Sequence, residues 1–195
     1  MSSFRGPILF AAGFLAVLAA GWRGFPAILY ESSPQPLQFN HKVHKEKASM
    51  ACTDCHSFRA DGSFAGIPAT SSCANCHAAA MGDTAAEKQF VDRYVTPGLE
   101  VPWKSYARQP MNVRFSHAAH VTAGKLKCEQ CHGDHGATEH LRDYEENRIS
   151  GYSRDIWGHS ITRVGLKVGD GRKMSDCEDC HAQRKVEVGC LGCHQ

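Results

Sequence analysis

The sequence predicts a mostly irregular chain with short α-helices, little or no sheet and one N-terminal transmembrane helix. Three observations carry that prediction. In a chain of 195 residues, strong apolar stretches are scarce after residue 30, so side chains alone make a poor core. Residues 7–22 carry no charge and are followed, after Arg23, by a second apolar run, Gly24–Tyr30. The rest of the chain is dense in two residue types, with 10 Cys and 12 His in the whole sequence, both well above ordinary usage. The net charge of +2 implies no polyanionic partner and sets nucleic acid aside.

Every cysteine belongs to a Cys-x-x-Cys pair, and every pair is followed at once by histidine. The pairs are Cys52/Cys55, Cys73/Cys76, Cys128/Cys131, Cys177/Cys180 and Cys190/Cys193, and their histidines are His56, His77, His132, His181 and His194. Cys-x-x-Cys-His is the attachment signature of c-type haem. Two thiols add to the haem vinyl groups, and the adjacent imidazole reaches the iron. Structural zinc also uses Cys-x-x-Cys pairs, but it does not require a histidine at the fifth position in all of them. A disulfide scaffold would not repeat this spacing. Five covalent haems then take over much of the core, with thioethers acting as staples.

A longer element is repeated. Phe39-Asn40-His41-Lys42-Val43-His44 precedes Cys52, and Phe115-Ser116-His117-Ala118-Ala119-His120 precedes Cys128. In both copies the first Cys follows the first His by eleven positions, and a Gln-Pro pair lies just upstream (Gln35-Pro36 and Gln109-Pro110). This divides the chain into an anchor over 1–30 and a periplasmic multihaem domain over 31–195, with repeat modules at about 35–95 and 109–195.

Taken in order, the anchor comes first. A spanning helix needs about 20 apolar residues. The run through Leu29 or Tyr30 is long enough if Arg23 snorkels toward a headgroup, and Trp22 and Tyr30 suit an interface belt. A cleaved signal peptide with a poor site at Val17-Leu18-Ala19 is the competing reading. Haem attachment takes place outside the cytoplasmic membrane, so Met1 is expected inside and residue 31 onward in the periplasm.

Glu31–Gln38, with Pro34 and Pro36, reads as a short extended linker. The first module follows, then loop over Phe58–Ser72 and the second attachment site. Thr84 to Glu87 is a capping-box pattern that starts a helix through about Val95, with Phe90, Val91, Tyr94 and Val95 on one side, ended by Pro97-Gly98. Leu99–Asn112 bridges to the second module, and its aromatics Trp103 and Tyr106 are expected to pack on haem faces. Gly133–Ser175 is long for a structureless connection and reads as partner-binding or haem-covering. The last two attachment sites, thirteen residues apart at their first cysteines, should hold neighbouring haems.

The motif histidines are the proximal ligands, and the other axial position sets potential and reactivity. Seven histidines remain for it: His41, His44, His117, His120, His135, His140 and His159. His41 and His117 lead, each at a fixed distance from its own motif and each with a Phe two residues upstream. His44 and His120 follow. A pair at i, i+3 lies on one helical face, so two such histidines can reach two neighbouring irons. For the fifth distal ligand the order is His159, His140, His135, the last standing only three residues from His132. Met81, Met111 or Met174 could ligate one iron instead. Twelve histidines would also suffice for a sixth haem without the attachment motif.

The Phe-x-His-x-x-His…Cys-x-x-Cys-His module resembles the cytochrome c3 and c7 type of multihaem cytochrome, so the implied fold is a haem-cored, class III-like cytochrome c. In that type the first His is the distal ligand of the following haem and the second serves another, which carries onto His41 and His117, and onto His44 and His120. The anchor, Phe25–Tyr30, Asp61–Pro68, Glu100–Trp103, Phe115–His120 and Glu146–Ser153 resemble, more narrowly, the multihaem cytochrome c subunits of the Qrc menaquinone reductase complex and the related pentahaem ActA subunits of alternative complex III. The resemblance implies a membrane complex with a polytopic quinone-binding subunit, an iron–sulfur subunit and a molybdopterin-enzyme-like subunit. In the Qrc case electrons arrive from a soluble periplasmic cytochrome c3 and end on menaquinone. In the alternative complex III case they run outward from quinol.

The residues support a wire without that resemblance. Irons ligated by His on both sides have no free position, so they exchange electrons rather than bind substrate. A reductase enzyme needs an open iron and distal acid–base groups, against which the surplus of histidines argues. A stand-alone membrane-anchored quinol dehydrogenase needs a quinone site near the anchor, and no residue pattern there marks one.

Overall fold

The computed structural model describes residues 5–154 and 171–194. Helix α1 spans Arg5–Leu29, 25 residues with no acidic side chain in its first turn. At 1.5 Å per residue it is about 37 Å long, and by length and composition it is able to cross a bilayer. None of its apolar window is buried against the rest of the chain.

Strand β1, Tyr30–Ser33, follows without a break. It pairs antiparallel with β2, Tyr144–Asn147, in the register Tyr30 to Asn147 and Ser33 to Tyr144. This corrects the linker reading of Glu31–Gln38. The first residues after the helix are held in a two-stranded sheet, and just beyond them Gln35 and Leu37 are buried. The sheet also engages part of the long stretch after Gly133. The backbone N–H of Arg148 donates to Leu29 O at 2.9 Å. Asn147 Oδ1 accepts from Ile149 N and Ser150 N at 2.9 and 3.0 Å, which turns the chain. Arg154 pairs with Glu145 at 2.9 Å and lies over the Tyr30 ring at 5.1 Å.

The other helices are short: α2 His41–Glu46, α3 Cys52–Cys55, α4 Thr70–Ala74, α5 Ala85–Phe90, α6 Glu129–His132, α7 Met174–Gln183 and α8 Cys190–Cys193. A π-helical turn, Val91–Val95, continues α5, so the predicted helix over 84–95 is present but changes pitch midway. Gly98, at φ +69°, ends it, a conformation glycine adopts without a Cβ clash. A second π-helical turn covers Ala118–Ala123.

The repeat extends to the backbone. Asn40 Oδ1 accepts from Val43 N at 2.9 Å, and in the second copy Ser116 Oγ accepts from Ala119 N at 3.2 Å. Ser49 and Lys125, each eight residues after its first His, both take left-handed φ values, 54° and 53°. Met50 N donates to His44 O, and Leu126 N to His120 O, both at 3.1 Å.

Side chains make little core, as expected for a class III-like cytochrome of mostly coil and short helices. Among the described residues the buried apolar side chains are Leu37, Phe90, Val91 and Val101. Cys73, Ala86, Tyr94, Val95 and Trp103 pack beside this cluster. Trp103 therefore packs on the small core, and Tyr106 stacks near Tyr144 and under the Arg142 guanidinium at 4.4 Å.

Candidate haem-iron centres

Four of the five attachment motifs are built as a single helical turn. In these the histidine N–H closes the turn onto the first cysteine's carbonyl: His56 to Cys52, His77 to Cys73, His132 to Cys128 and His194 to Cys190, at 2.8–3.0 Å. The fourth motif in chain order departs from this pattern. Cys177, Cys180 and His181 sit inside the ten-residue helix α7, which runs on past them to Gln183. Cys180 is half-buried, and its carbonyl accepts from Arg184 N at 3.0 Å, a bond that carries the helix one turn beyond the motif. In every motif the two cysteines stand at i and i+3, on one face of the turn, with the imidazole following them. Cys180 thus keeps the same relation to Cys177 and His181 that the second cysteine has elsewhere. None of the ten cysteines, Cys180 included, is paired in a disulfide. Among the described residues no three His, Cys, Asp or Glu side chains converge as a zinc ion requires, so the zinc reading finds no site there.

The imidazoles come together in pairs. His44 and His77 have ring centres 6.0 Å apart, His117 and His132 6.3 Å, and His120 and His181 6.0 Å. Two metal–imidazole bonds of about 2 Å each, with roughly 1 Å more from each nitrogen to its ring centre, put a trans pair about 6 Å apart. The last two pairs are also near coplanar, at 8° and 16°. Each pair joins a repeat histidine to a motif histidine. His117 faces the motif of its own module, while His44 and His120 face the next motif along the chain. His41 lies 6.1 Å from His135, tilted by 40°.

Hydrogen bonds leave the outer nitrogens free for iron. His44 Nδ1–H donates to Asn40 O and His120 Nδ1–H to Ser116 O, both at 2.8 Å. His56 Nδ1–H donates to Gly66 O at 2.9 Å. Thr138 Oγ1 gives its proton to His135 O, so at 3.2 Å it accepts from His41 Nδ1–H. In each ring the bond engages Nδ1 and leaves Nε2 as the nitrogen that can face iron, and it orients the ring, as the hydrogen-bond partners of ligating histidines do. Burial, and then neighbouring His135, His56 and His44, push His41 down to about 4. Burial, and then His132 and His120, lower His117. Both rings stay neutral, as a metal ligand must be.

Phe39 stacks on His44 at 4.4 Å and meets His41 edge-on at 4.7 Å, and Phe115 does the same with His120 and His117 at 4.5 and 4.8 Å. The residue before the first His thus caps the turn, and the one before that wedges both rings.

The attachment sites lie near one another in a definite sequence. Burial and then Cys55 push the Cys73 thiol up. Burial and then Cys52 do so for Cys128. Burial, then Cys193 and Cys131 and, more weakly, Cys180 of its own motif, do so for Cys177. Phe64 stacks on His117 at 4.1 Å and lies 6.5 Å from His56, bridging the first and third sites. Arg114 N donates to Cys193 O at 2.7 Å, and Val113 bridges His194, which ties the fifth site to the approach of the second module.

Some expected residues stand apart. His140 is exposed, and so are Met81, Met111 and Met174. His159 lies outside the described residues. Two residues were not singled out from the sequence as site residues. Phe64 carries no repeat signal. Glu87 reads as the acidic end of a capping box, but only half of that box forms: Thr84 Oγ1 accepts from Glu87 N at 3.2 Å. The carboxylate turns instead to His77 Nδ1 at 2.8 Å, Met81 N at 2.8 Å and Gly82 N at 3.0 Å. A Cβ on Gly82 would come within 3.2 Å of Oε2, so glycine allows the close approach. The Met81 N–H, then His77 and the Gly82 N–H, lower the Glu87 pKa and keep it an anion.

The class III cytochrome C family matches residues 26–97, which hold the first two attachment sites with His41 and His44. Over 97% of its length the chain is 38% identical to the menaquinone reductase, multihaem cytochrome c subunit, of Nitratidesulfovibrio vulgaris (strain Hildenborough), covering 90% of that protein. The cysteine–histidine motifs, the paired imidazoles and this likeness agree on covalently bound haem c. The chain belongs to the family of the multihaem cytochrome c subunit of menaquinone reductase.

Proposed function

We propose that this chain is the electron-carrying subunit of a membrane-bound menaquinone reductase complex and that it holds five c-type haems. The observation that carries the proposal is the set of imidazole pairs 6.0–6.3 Å apart, each pairing a repeat histidine with a motif histidine. When bound, the haems supply one-electron exchange between ferric and ferrous iron. At three of the haems the chain's own residues would fill both axial positions and so deny substrates a site. This favours a wire over a reductase with an open iron.

The proposed axial pairs are His44/His77, His117/His132 and His120/His181. The fourth haem, ligated by the last of these pairs, takes Cys177 and Cys180 as its thiols. His41 pairs with His56, the counterpart in the first module of His117 with His132. His159 remains the proposed ligand opposite His194, since His135 stands by His41 and His140 is exposed. Shared helical turns make the first and second haems neighbours, and likewise the third and fourth. The Cys52–Cys128 contact and Phe64 link the first to the third, and the nearness of Cys193 to Cys177 links the fourth to the fifth. The proposed order in space is therefore second, first, third, fourth, fifth, a line that differs from the order along the chain.

In this reading α1 anchors the chain in the cytoplasmic membrane, with the haem domain in the periplasm. Electrons arrive from a soluble periplasmic cytochrome c3 and leave toward menaquinone through polytopic, iron–sulfur and molybdopterin-enzyme-like subunits. The test is purification from the native membrane in mild detergent through a tag on this chain, with mass spectrometry of the retained proteins and of the intact chain. Those three subunits and a mass increment of five haems are expected. Recovery of the chain alone would overturn the complex and favour a stand-alone anchored quinol dehydrogenase.

A further inference from the structure

We propose that Glu87 tunes the haem attached at Cys73 and Cys76: by accepting the Nδ1 proton of His77 at 2.8 Å, its carboxylate makes that imidazole a stronger donor to iron and holds the reduction potential of this site down. The inference rests on the haem reading above and adds to it a residue outside the attachment motifs.

The physical case is one of charge. An imidazole whose outer N–H points at an anion has more density on its other nitrogen than one whose N–H points at a neutral acceptor. Added donation to iron favours the ferric state, and outer hydrogen bonds are among the levers that set haem potential. The chain contains its own comparison. His56 donates to the neutral carbonyl of Gly66 at 2.9 Å, and His77 to a carboxylate at 2.8 Å.

The geometry is built rather than incidental. The Glu87 side chain is 14% exposed and that of His77 24%. Two backbone N–H groups, from Met81 and Gly82, fix the carboxylate, and Thr84 caps the helix that carries it. The His77 ring also meets Phe90 edge-on at 6.1 Å, and its centre lies 6.0 Å from that of His44. The anion thus bonds the ring on the side away from the iron, at the haem that ends the proposed line.

A purely structural role for Glu87, in capping α5 and holding the 81–82 loop, makes a different prediction. The test is a potentiometric titration of the full-length holoprotein, followed in the visible spectrum, with the intact mass counting haems. For Glu87→Gln, five haems and an upward shift of one redox component are expected. Thr84→Ala, which removes the cap and leaves the carboxylate, is expected to leave all components in place. Five haems with unmoved potentials in Glu87→Gln would overturn the inference, as would an equal shift in Thr84→Ala. If Glu87→Gln loses a haem, two attachment variants decide with Glu87 intact. The component lost in Cys73→Ala/Cys76→Ala should lie below the one lost in Cys52→Ala/Cys55→Ala, and the reverse order overturns the inference. Fewer than five haems on the unaltered chain, with none on the Cys73–His77 peptide, would fail the underlying haem reading instead.

Discussion

Single residues here act mostly by orienting imidazoles. The four repeat histidines are positioned by one Phe ring per module and, at His44 and His120, by a carbonyl at 2.8 Å. Methionine in place of imidazole raises a haem potential. His117→Met is therefore expected to shift one component upward while the intact mass still shows five haems, and a titration unchanged from the wild type would remove His117 from the ligands. Gln35 is a different kind of residue. Its buried side chain closes both backbone groups of Lys104, accepting from N at 3.0 Å and donating to O at 2.9 Å. Truncating one partner of such a pair costs about 1–3 kcal/mol. Gln35→Ala should lower the unfolding free energy by that amount and leave the haem spectrum as it was. The Gln-Pro repeat was visible in the sequence, but the clamp was not, because its partner lies 69 residues away.

At the scale of elements, the pairing of β1 with β2 changes how α1 meets the rest of the chain. The proline-rich segment after α1 has the composition of a loose linker. A strand from the far half of the chain takes up its hydrogen bonds, and Arg148–Glu31 and Arg154–Tyr30 reinforce the join. The chain that follows is thereby tied to the end of α1 by these contacts. Asn147→Ala removes the side chain that holds the turn after β2. It should speed amide hydrogen exchange at residues 30–33 with little effect at α5, and uniform exchange across both would argue against this join. The helices were legible where a local pattern carries them: Thr84 and Gly98 bracket the α5 segment, and four of the Cys-x-x-Cys-His motifs form one turn each. The motif of Cys177 and Cys180 looks the same in sequence, yet it lies within a longer helix because Lys173 and Asp176 cap that helix ahead of it. The strands were not legible, since four residues with no alternation pair only because of a contact more than a hundred residues apart in sequence.

For the whole molecule, four buried apolar side chains among the described residues cannot fold a domain of this size by hydrophobic burial. The bound groups and their thioether links must supply most of the core. The chain produced without haem attachment should show no cooperative transition in calorimetry, while the holoprotein should show one. A sharp transition in the haemless chain would mean that side-chain packing suffices. The same scarcity of core explains the mostly irregular backbone, because long connections need only lie against haem rather than pack on one another.

What the sequence determined alone is the chemistry: ten thiols and five adjacent imidazoles at haem spacing, four further histidines in two matched turns, and an apolar helix at the N-terminus. These are local patterns, and covalent geometry within a turn makes them readable. Only the tertiary structure decided which histidine faces which motif, that the first and third sites meet across Phe64, and that Glu87 stands behind His77 rather than closing its capping box. Those facts depend on how distant turns are brought together, and no spacing along the chain encodes a distance between them.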